Sequence, residues 1–282
     1  MQITGKTKLL GVIGDPITHS LSPVMHNAAI THLGLDYVYL PFGIASADLE
    51  KAIAGFWAIN LQGFNITIPH KQTIMPLLAE VSSTAQLVGA VNTVWRTPQG
   101  WTGTNTDVQG FIAPLKELRD WRDTQVLVLG YGGAARAVVV GCQQLGCGHI
   151  SVTGRDRQKL QNFQQSWVGS PLEGLVSVHP WEEGRDILHQ ADLVVNTTPI
   201  GMTPDIHTSP VDIATIANLN PGAIAYDLIY NPAKTLFLQQ AEAQGAIILN
   251  GAEMLVQQGA AALELWIDHP APVAIMRQAL FL

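Results

Sequence analysis

The residues that most directly suggest chemistry stand in one short run. Gln125-Val-Leu-Val-Leu129 leads into Gly130-Tyr-Gly132-Gly133-Ala-Ala135. An apolar strand entering G-x-G-x-x-A fits a dinucleotide cradle. Gly130 permits the tight turn, Gly132 leaves the backbone bare, and Ala135 lets the next helix pack close to the strand. A pyrophosphate then rests on the helix N-terminus, where unpaired N–H groups and the dipole favour an anion. Glycines also serve ordinary loops, but the order strand, turn, helix, second strand points to a dinucleotide site. The second strand ends Thr153-Gly154-Arg155-Asp156-Arg157-Gln158-Lys159. NAD sites usually place an acidic residue there for the ribose 2′-hydroxyl. Arg155, Arg157 and Lys159 instead suit a 2′-phosphate, because guanidinium forks pair well with phosphate oxygens. The reading is therefore NADP. The alternatives are a solvated first helical turn for the cations and a free 2′-hydroxyl for Asp156.

The rest of the chain must position that turn. Apolar runs at residues 9–14, 37–42 and 64–68 predict strands. Ser22-Pro23 predicts a helix start, with Gly34 as its stop. Ser46 predicts a second start, carrying Asp48 and Glu50 in the first turn, and a third helix is expected after Pro69. Helices are expected over 108–121, 134–145, 157–167 and 235–244, with strands over 125–129, 150–153, 193–196, 223–228 and 246–249. The last thirty residues predict helix broken at Pro270 and Pro272. This alternation implies layered, mostly parallel sheets. Of 282 residues, 47% are hydrophobic and 13% charged, which excludes a disordered chain. With 15 Lys+Arg against 22 Asp+Glu, the net charge of −7 argues against nucleic acid. No apolar run approaches the ~18 residues of a membrane span. Lys6 and Lys8 precede too short an apolar run for a secretion signal, so a cytoplasmic protein is expected. Cys142 and Cys147 make neither a disulfide framework nor a zinc site.

Seven further segments stand in order around the glycine turn. His19-Ser20-Leu21-Ser22-Pro23-Val24-Met25-His26 follows the first strand, and Asn65-Ile66-Thr67-Ile68-Pro69-His70-Lys71 a later one. Gly89-Ala90-Val91-Asn92-Thr93 and Asn105-Thr106-Asp107 with Gly110 come next. Asn196-Thr-Thr-Pro-Ile-Gly201, Tyr226-Asp-Leu-Ile-Tyr230 and Gly251-Ala-Glu-Met254-Leu-Val-Gln-Gln258 lie beyond the turn. Over nearly the whole chain this set resembles the shikimate dehydrogenase family. The resemblance implies reversible reduction of 3-dehydroshikimate to shikimate by NADPH, a step of aromatic amino-acid biosynthesis. It implies that Ser20 and Ser22 bind the substrate carboxylate and that Thr67, Asn92, Asp107, Tyr230 and Gln258 hold its ring hydroxyls. Lys71 becomes the catalytic acid/base, with Asp107 beside it. The implied cofactor contacts are Gly130, Tyr131, Gly132, Gly133 and Ala134, then Gly154, Arg155, Asp156, Arg157 and Lys159, then Leu228 and Gly251. The chain departs from the pattern at a few places. Gly154-Arg155-Asp156 replaces a frequent Asn-Arg-Thr, and Lys159 a frequent Arg. Ser83 stands where some members are acidic, and Tyr131 takes a position that is usually small.

The chemistry asks for such residues. A polyhydroxylated carboxylic acid needs short donors and acceptors, such as Ser20, Ser22, Thr67, Asn92 and Gln258, at strand ends and in loops. Hydride transfer needs a proton at the reacting oxygen. Lys71 supplies one, and a nearby carboxylate favours its ammonium form. Plain roles compete: a helix cap for Ser22, a turn bond for Asn92, an N-cap for Asp107. For Lys71 the plain role is a solvated lysine at a helix start, where the dipole disfavours a cation. His19, His26 and His70 lack ligand spacing, so local hydrogen bonds are expected and no metal. For Gln258 to join residues that precede the glycine turn, the chain must cross back. That gives an α/β protein with a parallel-sheet substrate domain, residues 1–107 plus 251–282, and a Rossmann-type dinucleotide-binding domain, residues 108–250. Met254, Leu255, Ala261, Ala262, Leu265 and Trp266 form the apolar stripe expected to anchor the return. Expected partners are a small-molecule substrate and NADP, without nucleic acid or membrane, in a monomer or homodimer. The rivals are an NAD-using quinate/shikimate dehydrogenase and a non-catalytic dinucleotide-binding regulatory module.

Overall fold

Short apolar runs broken by glycine and proline become strands, and the polar-faced stretches between them become helices. The computed structural model describes residues 3–280. They divide into two units, the first taking the chain up to Gly110 and resuming at Leu255, the second holding residues 111–254. Unit 1 begins β1 (Lys8–Gly14), α1 (Ser22–His32), β2 (Tyr37–Gly43), α2 (Leu49–Ala58), β3 (Gly63–Ile66) and β4 (Glu80–Val81). It continues α3 (Ser83–Val88), β5 (Thr93–Thr97), β6 (Gly100–Thr104) and the start of α4 (Asp107–Ile112). Unit 2 carries β7 (Gln125–Leu129), α5 (Gly133–Leu145), β8 (His149–Gly154), α6 (Arg157–Gln165), β9 (Val176–Pro180) and α7 (Gly184–Leu188). It ends with β10 (Leu193–Asn196), α8 (Ile213–Ile216), β11 (Ile224–Asp227), α9 (Leu236–Ala243) and β12 (Ile247–Leu249). The chain then enters α10 (Ala252–Ile267), which passes into unit 1, and α11 (Val273–Leu280).

The sheet of unit 2 has the order β12-β11-β10-β7-β8-β9 with every pair parallel, the doubly wound Rossmann arrangement. Unit 1 has the order β2-β1-β3-β5-β6-β4. Here β5 alone runs against its neighbours. Only Pro98 and Gln99 join its paired end, Thr97, to Gly100, and so short a link can connect only antiparallel strands. One face of this sheet buries Leu10, Val12 and Tyr39 against α1, α10 and α11, through Met25, Val256, Leu263, Trp266 and Met276. The other buries Ile13, Phe64 and Trp101 against Ile53 and Phe56 of α2. On α10 the packed positions are Val256, Ala260, Ala262, Leu263 and Trp266; of the expected stripe Ala262 and Trp266 pack as predicted, while Leu265 is 43% exposed.

Four expected helix features differ. Ser46 caps no helix: it is the first residue of a 3₁₀ turn, Ser46–Asp48, ahead of α2, and no side chain caps either start. No helix forms after Pro69: residues 69–78 run as turns ending in a 3₁₀ turn at Met75–Leu77. The Lys71 carbonyl accepts from Val91 N–H at 2.7 Å, Met75 N–H goes to Gln72 O, and Pro76 has no N–H to give. Lys71 therefore meets no helix dipole. The helix expected over 108–121 stops at Ile112, two residues before Pro114, whose ring disfavours helix in its predecessor. Ser22 is the first residue of α1 and not its cap; no side chain caps that end.

Candidate active site

In unit 1 four side chains from distant parts of the sequence meet. Lys71 leaves the turn after β3, Asn92 precedes β5, Asp107 opens α4, and Gln258 lies on α10. Lys71 Nζ donates to Asp107 Oδ2 at 2.6 Å, with side-chain exposures of 25% and 12%. Asn92 Nδ2 donates to Asp107 Oδ1 at 2.8 Å and to Gln258 Oε1 at 3.4 Å. Asn92 Oδ1 accepts the Thr106 N–H at 2.7 Å and the Thr93 hydroxyl at 3.0 Å. The carboxylate is thus held on both oxygens. Asp107 does not cap its helix; Asn105 Oδ1 accepts the Asp107 N–H at 3.0 Å and opens the turn. An ammonium with one proton committed to Asp107 keeps two more to donate.

The network continues through residues that the sequence did not single out for a role. Asn65 Nδ2 donates to Thr93 Oγ1 at 3.0 Å, and Asn65 Oδ1 accepts from the Tyr39 hydroxyl at 2.7 Å. Burial raises the Tyr39 pKa, with the nearby Ser22 hydroxyl opposing the shift. One signal was available: Asn65 is polar within a strand whose four positions are all buried. Ser20 Oγ accepts the Ser22 N–H at 3.3 Å. Thr67 is half-buried, its N–H donating to Ile13 O at 2.9 Å. Ser20, Ser22 and Thr67 share unit 1 with Lys71 but make no direct hydrogen bond to the four central side chains among the described residues. His26 stacks on Tyr39 with centroids 4.1 Å apart, its ring nitrogens 2.9 Å from Ser22 O and 3.2 Å from Gly259 O. Complete burial lowers its pKa to about 4, so the ring is neutral. His70 Nε2 lies 2.7 Å from Ile44 O. Among the described residues no group of three His, Cys, Asp or Glu could hold a metal.

In unit 2 the glycine turn is a cradle of backbone. Gly130 has φ +104°, which favours glycine, and a Cβ there would stand 2.8 Å from Thr197 Oγ1. A Cβ added at Gly132 or Gly133 meets nothing within 4 Å, and no side chain caps α5. Ala134 is half-buried and Ala135 fully buried. These residues fit a pyrophosphate. Arg155, Arg157 and Lys159 are exposed just beyond β8. Asp156 is the N-cap of α6, its Oδ1 accepting the Lys159 N–H at 3.0 Å. That cap explains an acidic residue here without a ribose hydroxyl.

Behind the turn, fully buried Asp227 accepts from Asn196 Nδ2 at 3.0 Å, Ile229 N–H at 3.1 Å and the Thr235 hydroxyl at 2.6 Å. Burial raises its pKa to about 6 against those donors. This clamp fixes residues 228–230, and so the half-buried Leu228 and Tyr230. Gly251 N–H donates to Ile229 O at 3.0 Å. Asn196 and Asp227 lie in quoted motifs, but only the fold reveals their pairing.

A Rossmann-ordered sheet with a bare glycine turn, in a chain that also carries a half-buried lysine paired with a buried carboxylate, defines a dinucleotide-dependent oxidoreductase. Sequence profiles for the shikimate dehydrogenase substrate binding domain and the shikimate 5′-dehydrogenase C-terminal domain match residues 12–94 and 251–281. The chain belongs to the shikimate dehydrogenase family. It is 60% identical, over 99% of its length and 97% of the relative's, to "Shikimate dehydrogenase (NADP(+))" of Gloeothece citriformis. Among solved structures it is similar to shikimate 5-dehydrogenase from Listeria monocytogenes in complex with shikimate and NAD. That match has TM-score 0.90 and 36% identity, covering 100% and 99% of the two chains. Quinate dehydrogenase from Corynebacterium glutamicum in complex with NAD matches with TM-score 0.89 and 30% identity, covering 98% and 99%. No helix among the described residues is long and apolar enough to cross a membrane.

Proposed function

We propose that this chain catalyses the reversible reduction of 3-dehydroshikimate to shikimate with NADPH, in aromatic amino-acid biosynthesis. The full-length identity of 60% to an enzyme named for that activity carries the reading. When bound, the reduced nicotinamide supplies the hydride. Lys71 gives an Nζ proton to the oxygen that becomes the hydroxyl, and Asp107 holds the ammonium and balances its charge. Asn92, Asp107, Thr67, Tyr230 and Gln258 hold the ring hydroxyls, and Ser20 and Ser22 receive the carboxylate. Gly130, Tyr131, Gly132, Gly133 and Ala134 hold the pyrophosphate half. Gly154, Arg155, Arg157 and Lys159 face the 2′-phosphate, with Asp156 capping their helix, and Leu228 and Gly251 bound the nicotinamide end. The proton donor belongs to unit 1 and the cradle to unit 2, so turnover requires both.

The reading extends to a cytoplasmic enzyme acting on a small-molecule substrate as a monomer or homodimer, a state that light scattering measures. Absorbance of the reduced nicotinamide, followed with shikimate or quinate and with NADP or NAD, tests the activity. Shikimate with NADP is expected to be the fastest combination. Preference for quinate with NAD would favour the second reading, which the likeness to the Corynebacterium glutamicum enzyme supports. Dinucleotide binding without turnover would mean a regulatory module.

A further inference from the structure

Tyr131 stands between the two bare glycines of the turn, and its ring lies on Gly154, the last residue of β8. A Cβ built on Gly154 would fall 2.1 Å from both Tyr131 Cδ1 and Cε1, closer than any real contact. The ring and the missing side chain therefore interlock. Along the chain the cradle at Gly132 and Gly133 follows Tyr131 directly, and exposed Arg155, which opens the cationic segment, follows the Gly154 that the ring covers. A dinucleotide with its pyrophosphate on the first and a 2′-phosphate on the second must lay its adenosine ribose across that interval. Tyr131 is half-buried, and among the described residues its hydroxyl has no hydrogen-bond partner, so the O–H is free to donate.

We infer that Tyr131 is a specificity-determining residue: its ring, seated on Gly154, is the floor under the adenosine ribose, and its hydroxyl donates a hydrogen bond to the 2′-phosphate. The inference rests on the NADP reading and deepens it. Gly154 is then required because a β-carbon there would push the ring off its seat. A neutral donor on a phosphate oxygen separates NADP from NAD, which lacks that group, whereas the ring serves both.

Calorimetric titration of NADP⁺ and NAD⁺ without substrate tests this independently of turnover. Tyr131→Phe is expected to weaken NADP⁺ about tenfold and to leave NAD⁺ within about twofold; Tyr131→Ala is expected to weaken both. Gly154→Ala should weaken NADP⁺ as much as Tyr131→Ala, and the double variant no more than either, since both remove one seated ring. Thermal melts without ligand read the interlock alone: Gly154→Ala should lower Tm more in the unaltered chain than in the Tyr131→Ala background, where only the tight approach to Leu160 Cδ2 at 3.3 Å remains. Unchanged NADP⁺ affinity in Tyr131→Phe, or losses that add in the double variant, would overturn the inference. Equal NADP⁺ and NAD⁺ affinities in the unaltered chain would overturn the cofactor reading itself. In that case the melting cycle still reports whether ring and glycine interlock, so the two failures remain distinct.

Discussion

In unit 1 the candidate site is made of side chains that the fold gathers, Lys71, Asn92, Asp107 and Gln258; in unit 2 it is made of backbone, at Gly130, Gly132, Gly133 and the start of α5. The difference follows from the task. A proton has to be delivered at one atom, which takes a titratable group held by partners that are themselves held. A pyrophosphate needs only several N–H groups pointing the same way. Two buried titratable groups outside the Lys71–Asp107 pair differ in the same spirit. His26 in unit 1 is kept neutral below its ordinary range, and Asp227 in unit 2 is raised toward neutrality while binding three donors.

The comparison breaks most readily at Lys71. Lys71→Ala is expected to lower kcat by roughly 10²–10⁴ with a much smaller change in KM. Calorimetry should find NADP affinity unmoved, because the cradle lies in the other unit; an equal loss of cofactor binding would dissolve the division of labour.

The next effect is on stability, and it should have opposite sign in the two units. For His26 the folded pKa of about 4 lies below the ordinary value of 6.5, so its contribution is present above pH 6.5 and is lost as pH falls toward 4. For Asp227 the folded pKa of about 6 lies above the ordinary 3.8, so its contribution is present below pH 3.8 and is lost as pH rises through 6. Each amounts to at most roughly 3–3.5 kcal/mol, at about 1.4 kcal/mol per pH unit. Denaturant melts between pH 4 and 7 check this against variants. Acidification should move the unaltered chain down relative to His26→Gln and up relative to Asp227→Asn. Parallel slopes would show that the two environments are not opposed.

A smaller effect is expected at Arg155. Losing one charge-assisted contact is worth about 1.5–3 kcal/mol, so Arg155→Ala should cut kcat/KM for NADP some ten- to a hundredfold while NAD is little changed. The smallest is expected at Gln258, where the hydrogen bond to Asn92 is long at 3.4 Å. Gln258→Ala should weaken shikimate binding several-fold and leave NADP affinity alone, as read by equilibrium titration.

The same contrast explains what the sequence made legible. The cradle is local: five strand residues, a turn and a helix lie next to one another, so glycine spacing announces both the site and the sheet around it. The strand at Leu193–Asn196 is bounded as its apolar run predicts. The side-chain network joins Lys71 to Asp107 across 36 positions and Asn92 to Gln258 across 166. Periodicity carries nothing about such pairs, and only a resemblance brought them together on paper. Tyr39 and Thr93 escaped for a related reason: on the chain they look like ordinary strand residues, whereas Asn65 stands out as an amide within an apolar run. The missing helix after Pro69 failed on tertiary grounds, since the Lys71 carbonyl bonds to Val91, twenty positions on, instead of to its own turn.

Unit 1 is written in two separate stretches of chain and unit 2 in one, and this has a consequence for birth on the ribosome. Between Gly110 and Leu255 some 145 residues must be translated (255 − 110), which at about 5–20 residues per second takes roughly 7–30 s. For that time Leu10, Val12 and Tyr39 lack the cover that Val256, Leu263, Trp266 and Met276 later give them. Unit 2, contiguous in the chain, can finish folding while unit 1 still lacks the cover of α10 and α11. The nascent N-terminal sheet therefore keeps part of an apolar face uncovered until α10 and α11 emerge.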